Sequence, residues 1–317
     1  MYVATRSILL IVMLLSFSLA GPAIDVSAQP LAVATAPTLG AANSFAILAG
    51  SAITDVPTSA ISGNVGLSPA AGTSYAGLTT GEVPGSTIYA VDVTGPAGLA
   101  GNNPGLLTNA QAANTAAFGA LIAGPNAACT SLAVANFDLS GSNLVAGVYC
   151  AGTFTLTGTL TLVGTGVWIF QSGSTLITAG TANVVGGTSC SVWWRVPSAA
   201  TLGTGTQLTG NILALSGIQL QSGATLNGRA LVQNPGAVTL DGNTVARGAL
   251  CTATTTTTGG GVRRRVAANA VVGLPSTGGA PIRNNDFPWV MALSGVLSVI
   301  ALVSGLWAFG RAHLPKQ

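Results

Sequence analysis

Apolar residues in this chain fall into short alternating runs. Thr153-Phe-Thr-Leu-Thr-Gly-Thr-Leu-Thr161 is the plainest case. A period of two puts Leu156, Leu160 and Leu162 on one side and Thr153, Thr155, Thr157, Thr159 and Thr161 near the other. β-Formers bounded by Gly, Ser or Asn predict further strands at 148–150, 167–170, 175–178, 192–196, 211–215, 218–220, 229–232 and 237–240. Segments 173–176, 200–203 and 223–226 share a small-Thr-Leu core, recurring at roughly 25 residues. Such a period predicts a β-solenoid, each coil stacked on the next; a β-sandwich is the alternative.

One segment has helical spacing: Leu106, Leu107, Ala110, Ala113, Ala117, Leu121 and Ile122. Asn103 can cap it, Pro104 suits its first position, and Gly124-Pro125 stops it. Its apolar stripe is expected to lie along the strands. Trp193 and Trp194 read as core or capping residues, not as a sugar platform.

Charge is nearly missing. Between Ser142 and Leu240 only Arg195 and Arg229 are charged, where an average soluble domain is about a quarter Asp, Glu, Lys and Arg. Residues 39–251 hold five acids (Asp55, Glu82, Asp92, Asp138, Asp241) and three bases (Arg195, Arg229, Arg247), with no Lys and no His. The net +3 of the whole chain therefore comes from its tails and is no sign of nucleic-acid binding. Polysaccharide-cleaving β-helix enzymes need clustered carboxylates, often with Lys, Arg or His. Scattered acids point away from an enzyme, and neither a metal site nor a cofactor is expected.

Four cysteines, Cys129, Cys150, Cys190 and Cys251, allow three pairings. Cys129 with Cys150 and Cys190 with Cys251 is the favoured one, because a bridge at the last cysteine pins the end of the domain. Zinc ligation would need CxxC spacing or histidine, which residues 39–251 lack.

Both ends carry targeting signals. Arg6, an apolar run through Ala20 and Val26-Ser27-Ala28 read as a signal peptide over 1–28. Residues 29–38 form a leader, and 252–273 a Thr/Gly/Arg linker without core-forming residues. Leu274-Pro275-Ser276-Thr277-Gly278 is followed by an apolar stretch over 289–309, long enough to span a bilayer, and by Arg311, His313 and Lys316. This order resembles the cell-wall sorting signal of Gram-positive surface proteins. The resemblance implies a sortase as partner, cutting between Thr277 and Gly278. A retained membrane anchor is the alternative. Either way residues 39–251 face outward as one domain.

Those residues also resemble the bacterial and fungal ice-binding protein family, the DUF3494-type antifreeze domain. The likeness runs from Leu39-Gly-Ala-Ala-Asn-Ser-Phe-Ala-Ile-Leu-Ala-Gly-Ser51 and Ile61-Ser-Gly-Asn-Val-Gly-Leu-Ser-Pro69 through Cys190-Ser-Val-Trp-Trp194. It continues to Gly223-Ala-Thr-Leu-Asn-Gly-Arg-Ala230 and Gly236-Ala-Val-Thr-Leu240. The family implies an all-β fold with one long helix: an irregular right-handed β-solenoid of triangular section with the helix packed alongside. It also implies adsorption to an ice crystal surface through a flat Thr-rich sheet face. Some members carry Thr-Ala/Gly-x-Thr/Asn on that face, which Thr178-Ala179-Gly180-Thr181 matches. The expected contact residues are Thr178, Ala179, Gly180 and Thr181, then Thr157, Thr159, Thr204, Thr206, Thr209, Thr225 and Asn227. The rival function is a surface adhesin or carbohydrate-binding module on the same solenoid. Aromatics in a groove would favour sugar, and a Thr face without aromatics would favour ice.

Overall fold

The computed structural model describes residues 33–251. The signal peptide, the linker, the LPSTG motif and the apolar stretch 289–309 lie outside the described residues. Among the described residues, no helix is long and apolar enough to cross a membrane.

Every pairing between strands is parallel. This rules out the β-sandwich, which needs antiparallel pairs. Over the regular part of the domain, strands adjacent in sequence do not pair. Val192–Val196 pairs with Asn211–Ala214, Ala199–Leu202 with Gly217–Leu220, and Gln207–Thr209 with Thr225–Asn227. The strands therefore sort into three ranks, visited in turn: a helix-side rank, a second rank and a third rank. The period is less even than the sequence suggests. Leu176 pairs with Ala200, 24 positions on, and Ala200 with Ile218, 18 positions on. The recurrence at 223–226 belongs to the third rank, the other two to the second. The run 153–162 is also not one strand: Asn143–Leu156 and Thr159–Ser172 meet at a corner on Thr157-Gly158.

One apolar core is shared by all three ranks. Ile212 and Trp194 enter it from the helix-side rank, Leu202, Leu220 and Leu240 from the second, and Leu160, Leu208 and Leu226 from the third. Ranks two and three alternate buried with exposed positions, as in Gly217–Leu220, where Gln219 faces out between Ile218 and Leu220. The helix-side rank has no exposed positions in Phe45–Ala49, Asn211–Ala214 or Ala230–Val232. A strand covered on both sides needs apolar residues at every position. Its outer surface, with Phe45, Leu48, Ile169, Trp193, Leu213 and Leu231, packs with Leu107, Ala110, Ala117 and Phe118 of the helix Pro104–Ala120. Trp193 and Trp194 are both core, and Trp194 stacks on Phe170 at 4.2 Å between centroids.

The helix begins as expected, with the Asn103 side-chain Oδ1 accepting from the Leu106 amide. Leu107, Ala110, Ala117 and Leu121 are buried, but Ile122 lies past the last turn and is exposed. Its length answers a topological need. The first coil of the chain pairs onto the last: Phe45–Ala49 with Ala230–Val232, Ile53–Val56 with Ala237–Asp241, Ala60–Ser62 with Thr244–Ala246. Coils 64–102 extend the stack beyond this seam, so the chain must return along it to reach Thr130. Eight strand spacings of about 4.8 Å make a journey of roughly 38 Å. The 17-residue helix covers about 25 Å of it at 1.5 Å per residue. Gln111 fixes the helix at the seam, donating from Nε2 to the carbonyls of Ala49 and Ser68 at 3.0 and 3.1 Å.

Both favoured disulfides are present, Cys129–Cys150 and Cys190–Cys251. The acids are less scattered than the sequence suggests. Asp55 and Glu82 are both buried on either side of Ser59, and Asp55 Oδ2 has no hydrogen-bond partner. Glu82 accepts from the Ser59 and Thr79 amides and the Thr79 hydroxyl; Asp55 Oδ1 accepts from the Ser59 hydroxyl. Burial pushes the Asp55 carboxyl up to about 6, the Ser59 hydroxyl opposes this, and Glu82 reinforces it. Burial also works against the Glu82 charge, but its donors outweigh that and hold it below the usual range. Both carboxyls are enclosed, Glu82 held by amide and hydroxyl donors and Asp55 by the Ser59 hydroxyl.

Two predictions follow from the interior. Asn114 is fully buried in the helix–sheet contact, and neither of its side-chain polar atoms has a partner. Asn114→Leu should raise stability by about 1 to 3 kcal/mol, read as an upward shift in thermal midpoint. The folded state holds the Asp55 proton more tightly than the unfolded chain does. Stability should therefore fall as pH rises from about 4 to 6. Asp55→Asn should flatten that slope; an unchanged slope would mean another group carries the titration.

Candidate functional site

Three surfaces compete for a role, one per rank, and the helix covers the first. The second rank presents two outward columns. One runs from Asn136 at its margin through Thr153 and Thr175, whose hydroxyls lie 3.5 Å apart, to Ala199, Gly217 and Ala237. Inside that margin no side chain in the column is larger than threonine. The next column is Thr155, Ile177, Thr201, Gln219, Thr239 and Thr54, each in register with its neighbour. Four of these six are threonine, and β-branching leaves each with little rotamer freedom. The reason they face out is local. Phe154-Thr-Leu156, Ala200-Thr-Leu202 and Val238-Thr-Leu240 each set one threonine between two buried apolar residues.

Carboxylates stand only at the margins of this surface. Asp138 closes the column beyond Thr155, and Asp241 ends its strand at the corner. Asp138 is tied down: it accepts from the Ser140 and Thr157 hydroxyls at 2.7 and 2.6 Å. Partial burial works against its charge, yet these hydroxyls and the amides of Ser140 and Thr157 hold it at about 2.

The third rank carries no charged residue in its columns. One reads Thr159, Asn183, Gln207, Thr225, Thr244 and Ala60; the other ends Thr209, Asn227, Ala246 and Ser62. Amide side chains interrupt it, and these are longer and looser than threonine.

The residues singled out from sequence divide three ways. Thr159, Thr209, Thr225 and Asn227 lie on the third rank. Thr157, Ala179, Gly180, Thr181 and Thr204 are exposed along the corner between the second and third ranks. Thr178 and Thr206 are corrections, being 3% and 0% exposed. Their hydroxyls meet at 2.7 Å, Thr206 donates to the Ala179 carbonyl, and Thr178 accepts from the Gly203 amide. The pair latches the corner from inside, because a buried hydroxyl must find a partner. The second-rank threonines Thr54, Thr155, Thr175, Thr201 and Thr239 were not singled out. For Thr155, Thr201 and Thr239 the signal is the apolar-Thr-Leu triplet, obscured because Ala224-Thr225-Leu226 carries the same triplet on the third rank.

Comparison with known proteins gives one answer. A family profile described as Ice-binding-like matches residues 47–246. An ice-binding protein of Nostoc sp. (strain HG1) is 39% identical over 217 residues, covering 66% of this chain and 73% of the relative. One from Flavobacterium frigoris (strain PS1) is 36% identical, covering 65% and 75%. Among solved structures, the DUF3494 domain of a Shewanella frigidimarina ice-binding protein matches with a TM-score of 0.59 at 31% identity. It covers 67% of this chain and 97% of that one. An ice-binding protein from an Arctic yeast matches with a TM-score of 0.57 at 28% identity, covering 69% and 95%. With its parallel strand ranks, its covering helix and a profile match across nearly every coil, the chain belongs to the Ice-binding-like family.

Proposed function

We propose that this protein is exported, held at the cell surface, and adsorbs to ice through the second rank. The reading takes the three ranks as the sides of a right-handed solenoid of triangular section, with residues 39–251 as its single domain. The observation that carries the assignment is the register-locked column from Thr155 to Thr54. Its rows recur at about 4.8 Å, near a repeat of the ice lattice. Methyl groups on a stiff surface let water form a cage, and hydroxyls anchor that cage. Charged side chains orient water around themselves, so their confinement to the margins matters. The corner residues Ala179, Gly180, Thr181 and Thr204 form the edge of the same face. The third-rank threonines Thr159, Thr209, Thr225 and Asn227 make up a less regular neighbour.

A sugar-binding adhesin is less well supported, because no aromatic residue stands in either outward column of the second rank. The ends of the domain also favour the second rank. Leu39–Ser44 and Cys251 meet at the opposite corner, between the third and helix-side ranks, where the Asn43 amide nitrogen donates to the Cys251 carbonyl at 2.8 Å. The chain beyond Cys251 therefore leaves the domain at a corner that the second rank does not share. Sortase attachment at Thr277, or retention by the apolar stretch 289–309, supplies the tether.

Thr201→Tyr and Thr239→Tyr should each bring thermal hysteresis and ice affinity purification near baseline, while Thr225→Tyr leaves most of both. The reverse pattern would move the site to the third rank; activity in all three variants would remove ice adsorption through either. For attachment, the chain should resist detergent extraction from host envelopes, and Thr277→Ala should render it extractable. A natural chain that detergent already releases would replace wall linkage with a membrane anchor.

A further inference from the structure

Arg229 is fully buried in a domain that has shed nearly all its charge, and no carboxylate faces it. Its guanidinium donates instead to neutral groups: the Asn43 carbonyl and Oδ1, Asn211 Oδ1 and the Ala249 carbonyl, at 2.9 to 3.1 Å, with Cys251 Sγ at 3.2 Å. Burial pushes it down to about 10, with Arg247 adding to the shift, so it stays a cation at neutral pH. Asn43 closes the ring by accepting the Cys251 amide at 3.0 Å, and Cys251 is bonded to Cys190.

These groups stand at the starts of four strands that lie side by side. Cys190 precedes Val192–Val196, Asn211 opens Asn211–Ala214, Arg229 precedes Ala230–Val232, and Asn43 precedes Phe45–Ala49. Those strands pair in that order. The cluster therefore binds four neighbouring coils and crosses the seam between the last coil and the first. Cys251 is also where the described domain hands over to the linker. Without the cluster, tension on the linker would reach Arg247 and the three-residue strand Thr244–Ala246, which can be peeled away one pair of bonds at a time.

We propose that this cluster is a force-sharing junction, through which pull on the chain beyond Cys251 enters four coils at once. The role rests on the surface-anchored reading of the C-terminus. A cell held at a solid surface loads its tether, and a covalent bond to Cys190 together with the Arg229 fork converts peeling into shared shear. Arginine suits this better than lysine, because a planar fork holds several acceptors in fixed directions.

The test is constant-force unfolding of the full chain in an optical trap. One handle is placed at the C-terminus and the other on an azido side chain at position 201 of the second rank. Replacing Cys190 and Cys251 together by Ser should raise the unfolding rate by about tenfold or more. Reductant added to the folded natural chain should do the same, which covers a variant that fails to fold. Arg229→Met should also raise the rate with the disulfide intact. A second geometry pulls between positions 201 and 73, bypassing Cys251, and there the changes should be small. An equal rise in both geometries would make the cluster an ordinary stabilising element and overturn the proposal; so would no rise in either. Detergent extraction of the envelope reads the anchored reading separately, so the two can fail independently.

Discussion

Parallel pairing in unbroken register is the constraint from which the rest of the molecule follows. Around Thr155, Thr201, Gln219 and Thr239 two buried apolar residues flank the outward position, and the pairing holds it level with its equivalents on either side. A slip of one residue would turn the threonine inward and an aliphatic residue out. The shared core therefore aligns the surface: Leu202, Leu220 and Leu240 inside fix Thr201, Gln219 and Thr239 outside. No hydrogen bond between the threonines is needed to set their spacing.

The same constraint shapes the rest of the domain. A stack of parallel coils has two open ends, and here its first coil is placed next to its last. That creates a seam held by three short pairings and a gap that the chain must cross again. The helix crosses it, and in doing so makes the helix-side rank an interior layer. This explains why strands such as Ala230–Val232 are wholly apolar while their neighbours alternate. It also removes one of three surfaces from contention and leaves the other two to differ in side-chain size and charge. Gln111 and the Arg229 cluster secure the seam from two directions, one from the helix and one from the corner.

Much of this was legible in the sequence, for identifiable reasons. Strands around Val192–Val196 and Ala237–Asp241 stood out because β-branched and aromatic residues sit between glycines. The helix stood out because Asn103-Pro104 is a strong start signal, and the disulfide pairing because Cys251 ends the patterned region. The corners were hidden. Period two continues straight through Thr157-Gly158, since a corner in a parallel stack keeps the alternation while changing rank. The burial of Thr178 and Thr206 was hidden for a related reason: local spacing says which residues share a strand face, not which hydroxyls turn inward to latch a bend. Asp55 and Glu82 lie 27 positions apart and meet only because the turn Thr80–Glu82 folds back over the first coil.

Charge is placed as carefully as it is withheld. Burying a guanidinium is costly unless its donors are met, and at Arg229 every acceptor is neutral, so no second ion has to be dehydrated with it. The remaining exposed carboxylates are pinned by hydroxyls, as at Asp138, or confined to a strand end, as at Asp241. On the proposed reading, a surface that holds water in a fixed arrangement cannot tolerate side chains that impose a different one. The stack nonetheless needs strong, directional bonds somewhere to close its seam. It makes them at the corner between the third and helix-side ranks, away from the threonine columns of the second rank.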